Sequence, residues 1–82
     1  MNDRKKALVT GGATGIGRSA VLALAKAGYD VAINYASSAK AATEVAALAQ
    51  GMGAQTMLLP CDVSDETAVR AMMAQVDAQF GH

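Results

Sequence analysis

A short apolar run, Ala7-Leu8-Val9, breaks into the glycine-dense segment Thr10-Gly11-Gly12-Ala13-Thr14-Gly15-Ile16-Gly17 and re-emerges as a helical pattern. Few backbone arrangements suit that order. Glycines lack a Cβ, so the chain can turn sharply and approach a ligand closely, while the free N–H groups and positive dipole end of a following helix attract an anion. The segment therefore has the makings of a phosphate-binding loop. A strand is predicted over residues 6–10 and a helix over residues 15–27, with Ile16, Ala20, Val21, Leu24 and Ala25 forming one apolar face.

Gly28 supplies the stop for that helix. Residues 29–34, Tyr29-Asp30-Val31-Ala32-Ile33-Asn34, have the continuous apolar centre of a strand covered on both faces. Ser37 and Ser38 offer N-caps for a second helix with Ala41, Val45, Leu48, Ala49 and Met52 inward, ended by Gly51 and Gly53. A third strand is expected over residues 55–61. After Asp62-Val63-Ser64 comes a helix with Asp65 and Glu66 in its first turn and Val69, Met72, Met73, Val76 and Phe80 as its stripe. The order is β-α-β-α-β-α. It reads as an α/β fold, one parallel-sheet half of a Rossmann-type domain, with strand order 3-2-1 and the first two helices on one face. Met52, Met57, Met72 and Met73 all fall on expected core positions.

A chain of 82 residues makes at most one small domain of marginal stability. Its 52% hydrophobic content excludes intrinsic disorder, and its 4% aromatic content implies a core of Ala, Val, Leu, Ile and Met. Seven basic and seven acidic residues give a formal net charge of zero, which favours neither nucleic acid nor an anionic membrane as partner. No apolar run approaches the roughly eighteen residues of a membrane span, and the amino terminus does not fit a secretory signal. A soluble, cytoplasmic protein is expected. The single cysteine, Cys61, can form neither an intrachain disulfide nor a zinc site and reads as a small core residue, so no metal is expected.

The spacing Thr10-Gly11, three residues, then Gly15-Ile16-Gly17 resembles the T-G-x-x-x-G-I-G fingerprint of the short-chain dehydrogenase/reductase family. The resemblance implies that Gly11 makes the turn, that Thr14, Gly15 and Ile16 lie over the cofactor pyrophosphate, and that Gly17 lets the helix pack closely. Arg18 follows the last glycine and joins the cofactor-binding set, or is simply a solvated helix charge. Where NAD-specific members of such folds place a carboxylate after the second strand, this chain has Asn34-Tyr35-Ala36-Ser37, with no acid between Asp30 and Glu44. Ser37, Ser38, the helix amino end and Lys40 would all favour a 2′-phosphate, so NADP is the expected cofactor and NAD is permitted. Asp62-Val63 matches the pair that in this family holds the adenine, although Asp62 or Ser64 would also serve as a helix cap. A rival lies in Gly12-x-x-x-x-Gly17-Arg18-Ser19, a P-loop with arginine in place of lysine; a planar guanidinium does not replace the compact ammonium there.

The family's Y-x-x-x-K is missing, since Tyr29 is followed four positions later by Ile33 and Tyr35 by Ala39. Its upstream serine and its N-N-A-G segment are missing as well. The chain thus resembles the cofactor-binding half of a 3-oxoacyl-reductase-like or glucose-dehydrogenase-like oxidoreductase, truncated before a fourth strand, with no catalytic residue of its own and no turnover expected alone. The resemblance implies hydride transfer between NADP(H) and a carbonyl or alcohol substrate that these residues do not specify. The alternative is a non-catalytic nucleotide-binding or self-associating module. A homo-oligomer is expected; a polypeptide folded at 82 residues would otherwise present its first strand as an unprotected edge, one that in the whole family a fourth strand pairs. His82 is expected to be a frayed terminal residue.

Overall fold

The computed structural model describes residues 5–80; residues 1–4, among them the charged Asp3 and Arg4, and residues 81–82, with His82, lie outside the described part. Three strands and three helices alternate: β1 (Lys5–Val9), α1 (Gly15–Lys26), β2 (Tyr29–Tyr35), α2 (Ala39–Gly51), β3 (Thr56–Pro60) and α3 (Glu66–Phe80). The strands form one parallel sheet in which β2 pairs with β1 on one side and with β3 on the other. Ala7 is in register with Val31, and Ile33 with Leu58. Parallel neighbours need a crossover, and a helix supplies it each time.

Side-chain alternation along β2 divides the core in two. Val31 and Ile33 meet Val21 and Ala25 of α1 and Val45, Ala46 and Ala49 of α2. Ala32 points the other way, into a cluster with Met57, Leu59, Cys61, Met72 and Val76, so α3 covers the opposite face. Alanines at the helix contacts let α1 and α2 lie close to the sheet, which is how a chain with few aromatics still fills its interior.

Several burial expectations are corrected. Ile16, placed on the inner face of α1 by its spacing, is 90% exposed, because the first turn of α1 overhangs the end of the sheet. In α2 the buried stripe is Ala42, Val45, Ala46 and Ala49, so Leu48 and Met52 face outward. Met73 is likewise exposed, its neighbour Met72 taking the inward position. Met57 and Met72 are core residues as expected, and so is Cys61. Ser38 occupies the N-cap of α2 but makes no side-chain cap hydrogen bond. Asp65 precedes α3 rather than lying in its first turn, and its carboxylate accepts the Ala68 N–H at 3.1 Å. No described helix is long and apolar enough to cross a membrane.

Two polar residues are buried at the ends of β2, on the same side of the strand as Ala32. Asp30, fully enclosed, accepts the Gln55 N–H at 2.9 Å and pairs with Lys6 Nζ at 3.4 Å. Lys6 is its register partner on β1, and its Nζ also lies 6.0 Å from the centroid of the Phe80 ring of α3. Asn34 holds the other end.

Candidate functional site

Because all three strands run the same way, their carboxyl ends bring residues 11–17, 34–37 and 62–63 to one edge of the sheet. In open α/β sheets that edge is where ligands bind. The glycine loop owes its shape to two distinct demands, one of conformation and one of space. Gly11 and Gly15 have φ of 64° and 58°, left-handed values that cost a residue bearing a Cβ about 1–2 kcal/mol. Gly17 has ordinary dihedral angles but no room: a Cβ there would lie 2.0 Å from the Gly11 carbonyl oxygen and 2.7 Å from its carbon. The first turn of α1 therefore rests directly on the loop backbone.

α1 begins after Thr14, whose side chain makes no cap hydrogen bond, and its first turn contains no acidic residue. α2 begins after Ser38 in the same state. α3 differs, with the Asp65 carboxylate on its amino end and Glu66 in its first turn. Between the two uncapped ends lies an open cleft of about 210 Å³ lined by Gly11, Ala13, Thr14, Tyr35, Ala36, Ser37 and Ser38. Two helix dipoles that carry no protein anion thus converge on one cavity, an arrangement that favours negatively charged groups. A phosphorylated ligand fits these residues: donors and hydroxyls line the cleft, and no carboxylate does.

Asn34 is 2% exposed, and its side chain faces the interior. Its Oδ1 accepts the Gly11 N–H at 3.3 Å, while Nδ2 donates to the carbonyl oxygens of Leu59 and Cys61, each at 3.1 Å. Its backbone carbonyl accepts the Gly12 N–H at 2.9 Å. Residues 35–37 remain at the surface, Tyr35 partly buried and Ala36 and Ser37 exposed.

Asp62 and Val63 leave β3 at the same edge, both exposed. Asp62 Oδ1 accepts the Ser64 N–H at 2.9 Å and the Ser64 hydroxyl at 2.7 Å. These bonds from Ser64, the backbone N–H first, hold the Asp62 carboxyl below its ordinary 3.8, with a slight opposing effect of desolvation. A depressed carboxyl stabilises the turn above its ordinary range, and that contribution is lost as pH falls through the lower, folded value. Ser64→Ala is accordingly expected to move the Asp62 titration, followed by carboxyl NMR, upward toward 3.8. Superimposable titration curves for the two proteins would mean that the Ser64 hydroxyl has no hold on this carboxylate and that the backbone N–H alone lowers it.

The sheet edge gathers Gly11, Thr14, Gly15, Ile16, Gly17, Tyr35, Ala36, Ser37, Asp62 and Val63, and Arg18 follows in α1 with its N–H on the Thr14 carbonyl. Ser38 lines the cleft as well as heading α2. Two features of the loop were not singled out in the sequence: Ala13 is buried in the cleft wall, and Gly12 leaves space for Ile33 Cγ2, 3.0 Å from where its Cβ would sit. Only the last carried a signal, the doubling of glycine at residues 11–12. Among the described residues no group of acidic, histidine or cysteine side chains could hold a metal ion.

Residues 5–82 match the model of the short chain dehydrogenase family. The 3-oxoacyl-(acyl-carrier-protein) reductase FabG of Staphylococcus aureus is 43% identical over 81 residues, which are 99% of this chain and 33% of that protein. An uncharacterized oxidoreductase of Escherichia coli, YgfF, is 48% identical over 71 residues, 87% of this chain and 29% of its own length. The chain thus spans about a third of the curated relatives it matches. Among solved structures, a short chain dehydrogenase from Burkholderia cenocepacia in complex with NADP superposes with a TM-score of 0.90 at 42% identity, over 94% of this chain and 31% of that one. A short-chain dehydrogenase/reductase mutant from Serratia marcescens gives 0.91 at 36% identity, covering 95% and 32%.

Proposed function

Because this chain belongs to the short-chain dehydrogenase family, we propose that it forms the cofactor-holding part of an oxidoreductase that uses NADP(H) and acts on a carbonyl or alcohol substrate. One observation carries the reading: two helix amino ends, neither capped by a side chain nor faced by an acid in the first turn, open on the same cleft. NADP brings two phosphate groupings to such an edge, a pyrophosphate and a 2′-phosphate. The N–H groups at Thr14, Gly15, Ile16 and Gly17 would hold the first, with the Arg18 guanidinium nearby. Ala36, Ser37 and the amino end of α2 would hold the second, alongside Tyr35. Asp62 would accept a hydrogen bond from the adenine amino group, and Val63 would pack against the base. When bound, the nicotinamide supplies or takes up the hydride. Tyr29 is followed four positions later by Ile33 and Tyr35 by Ala39, so neither has the lysine of a Y-x-x-x-K pair, and neither is proposed to protonate the substrate oxygen.

The absence of a carboxylate at the end of β2 supports NADP over NAD, since an acid there would repel a 2′-phosphate. So does the NADP complex of the Burkholderia cenocepacia relative. Calorimetric titration of the chain with each dinucleotide tests the reading. NADP is expected to bind more tightly than NAD, and Ser37→Asp to weaken NADP by about tenfold to a hundredfold through like-charge repulsion while changing NAD little. Unchanged NADP affinity in Ser37→Asp would remove the 2′-phosphate from this end of the cleft.

A further inference from the structure

Asn34 does not reach toward a ligand. With both Nδ2 hydrogens on the Leu59 and Cys61 carbonyls and Oδ1 on the Gly11 N–H, the carboxamide spends its donors entirely on backbone. Its own carbonyl takes the next N–H, that of Gly12. Two consecutive loop amides are therefore gripped by one residue, whose side chain also grips the end of β3 on either side of Pro60. The orientation of the amide follows from this network, because the reverse would set NH₂ against an N–H and an oxygen against two carbonyls. Gly11 is in turn the residue on which Gly17, and with it the first turn of α1, rests.

We propose that Asn34 is a positioning residue, whose carboxamide ties the glycine loop and the amino end of α1 to the end of β3 so that the two sides of the site are held as one unit. As a statement about NADP binding this rests on the cofactor reading above; as a statement about the backbone it does not. No other common side chain of this size does the same. Aspartate keeps an acceptor for Gly11 but turns acceptors toward two carbonyls, and leucine fills the space while leaving three backbone groups without partners.

Amide hydrogen exchange by NMR, with NADP titrations in parallel, tests the proposal. In the wild type the Gly11 N–H, although in a surface loop, is expected to exchange at least about a hundredfold more slowly than an unstructured amide. Asn34→Asp is expected to speed exchange at Cys61 and to shift the resonances of Asp62 and Val63 while Gly11 stays largely protected. Asn34→Leu is expected to release both ends, with exchange at Gly11 and Cys61 rising about tenfold more than at Val31 or Val45, and to weaken NADP by about tenfold or more. An unprotected Gly11 in the wild type, or an even rise across the whole sheet in both variants, would overturn the positioning role. Should Asn34→Leu not fold, the wild-type protection and the pattern in Asn34→Asp still decide it. A wild type that binds no NADP but shows the expected exchange pattern would defeat the cofactor reading alone.

Discussion

Gly17→Ala is expected to abolish the cooperative unfolding transition of this chain, or to destabilise it by about 3 kcal/mol or more, and to eliminate the dinucleotide binding proposed above. The added methyl would lie 2.0 Å from the Gly11 carbonyl oxygen, 2.7 Å from its carbon and 3.1 Å from the Gly12 Cα, all backbone atoms. A flexible side chain could move aside, whereas this loop is held by Asn34 through both the Gly11 and Gly12 amides. The clash is relieved only by lifting α1 off the loop, which disturbs the packing of Val21 and Ala25 against Val31 and Ile33. A small domain has few kcal/mol to lose. Two other glycines serve as controls. Gly15→Ala meets no atom but must adopt φ near 58°, for about 1–2 kcal/mol. Gly51→Ala, at the end of α2 with open space around it, is expected to be neutral or to stabilise by about 0.5–1 kcal/mol. Denaturant unfolding of the three variants gives the ranking, and a Gly17→Ala protein as stable as Gly51→Ala would refute the close-packing account.

Asp30→Ala is expected to destabilise the fold by about 3 kcal/mol, at the end of the sheet remote from the cleft. Its carboxylate, with no exposure, is the acceptor for the Gln55 N–H, the amide through which the chain enters β3, and the partner of Lys6 on β1. Removing it strands a backbone donor and takes an ion-pair partner from the Lys6 ammonium, whose side chain is only 24% exposed. A buried pair contributes little net stability over a well-packed apolar pair, but losing one member leaves the other uncompensated. Asp30→Asn separates the two effects, since its side-chain oxygen can still accept from Gln55 while the charge is gone, and about half the loss is expected. Denaturant midpoints measure both. An Asp30→Ala protein within about 0.5 kcal/mol of the wild type would mean that neither contact bears on stability.

The amino-acid sequence by itself determined the order of elements and the sheet edge at which the candidate site lies. Those depend on local rules: glycine spacing that only a tight strand-to-helix turn satisfies, apolar runs of strand length, and helical repeats between them. A parallel β-α-β-α-β-α chain has to bring its strand ends together, so residues 11–17, 34–37 and 62–63 were bound to meet. Tertiary structure decided which of the apolar positions are inside. Leu48, Met52 and Met73 satisfy helical spacing as well as their neighbours do, but a helix lying on a twisted sheet buries only a narrow stripe, and small alanines fill it in α2. Ile16 fits the same repeat and stands 90% exposed because the sheet has ended beneath it. Only the folded chain could assign the polar ends of β2. In the sequence Asp30 and Asn34 flank the apolar centre of the second strand with no local sign of what would hold them; their burial depends on partners 24 and 25 residues away, the Lys6 ammonium and the Gln55 amide for one, and on Gly11, Leu59 and Cys61 for the other. Long-range backbone groups left without water have to find acceptors and donors somewhere, and no local pattern announces which side chain will supply them.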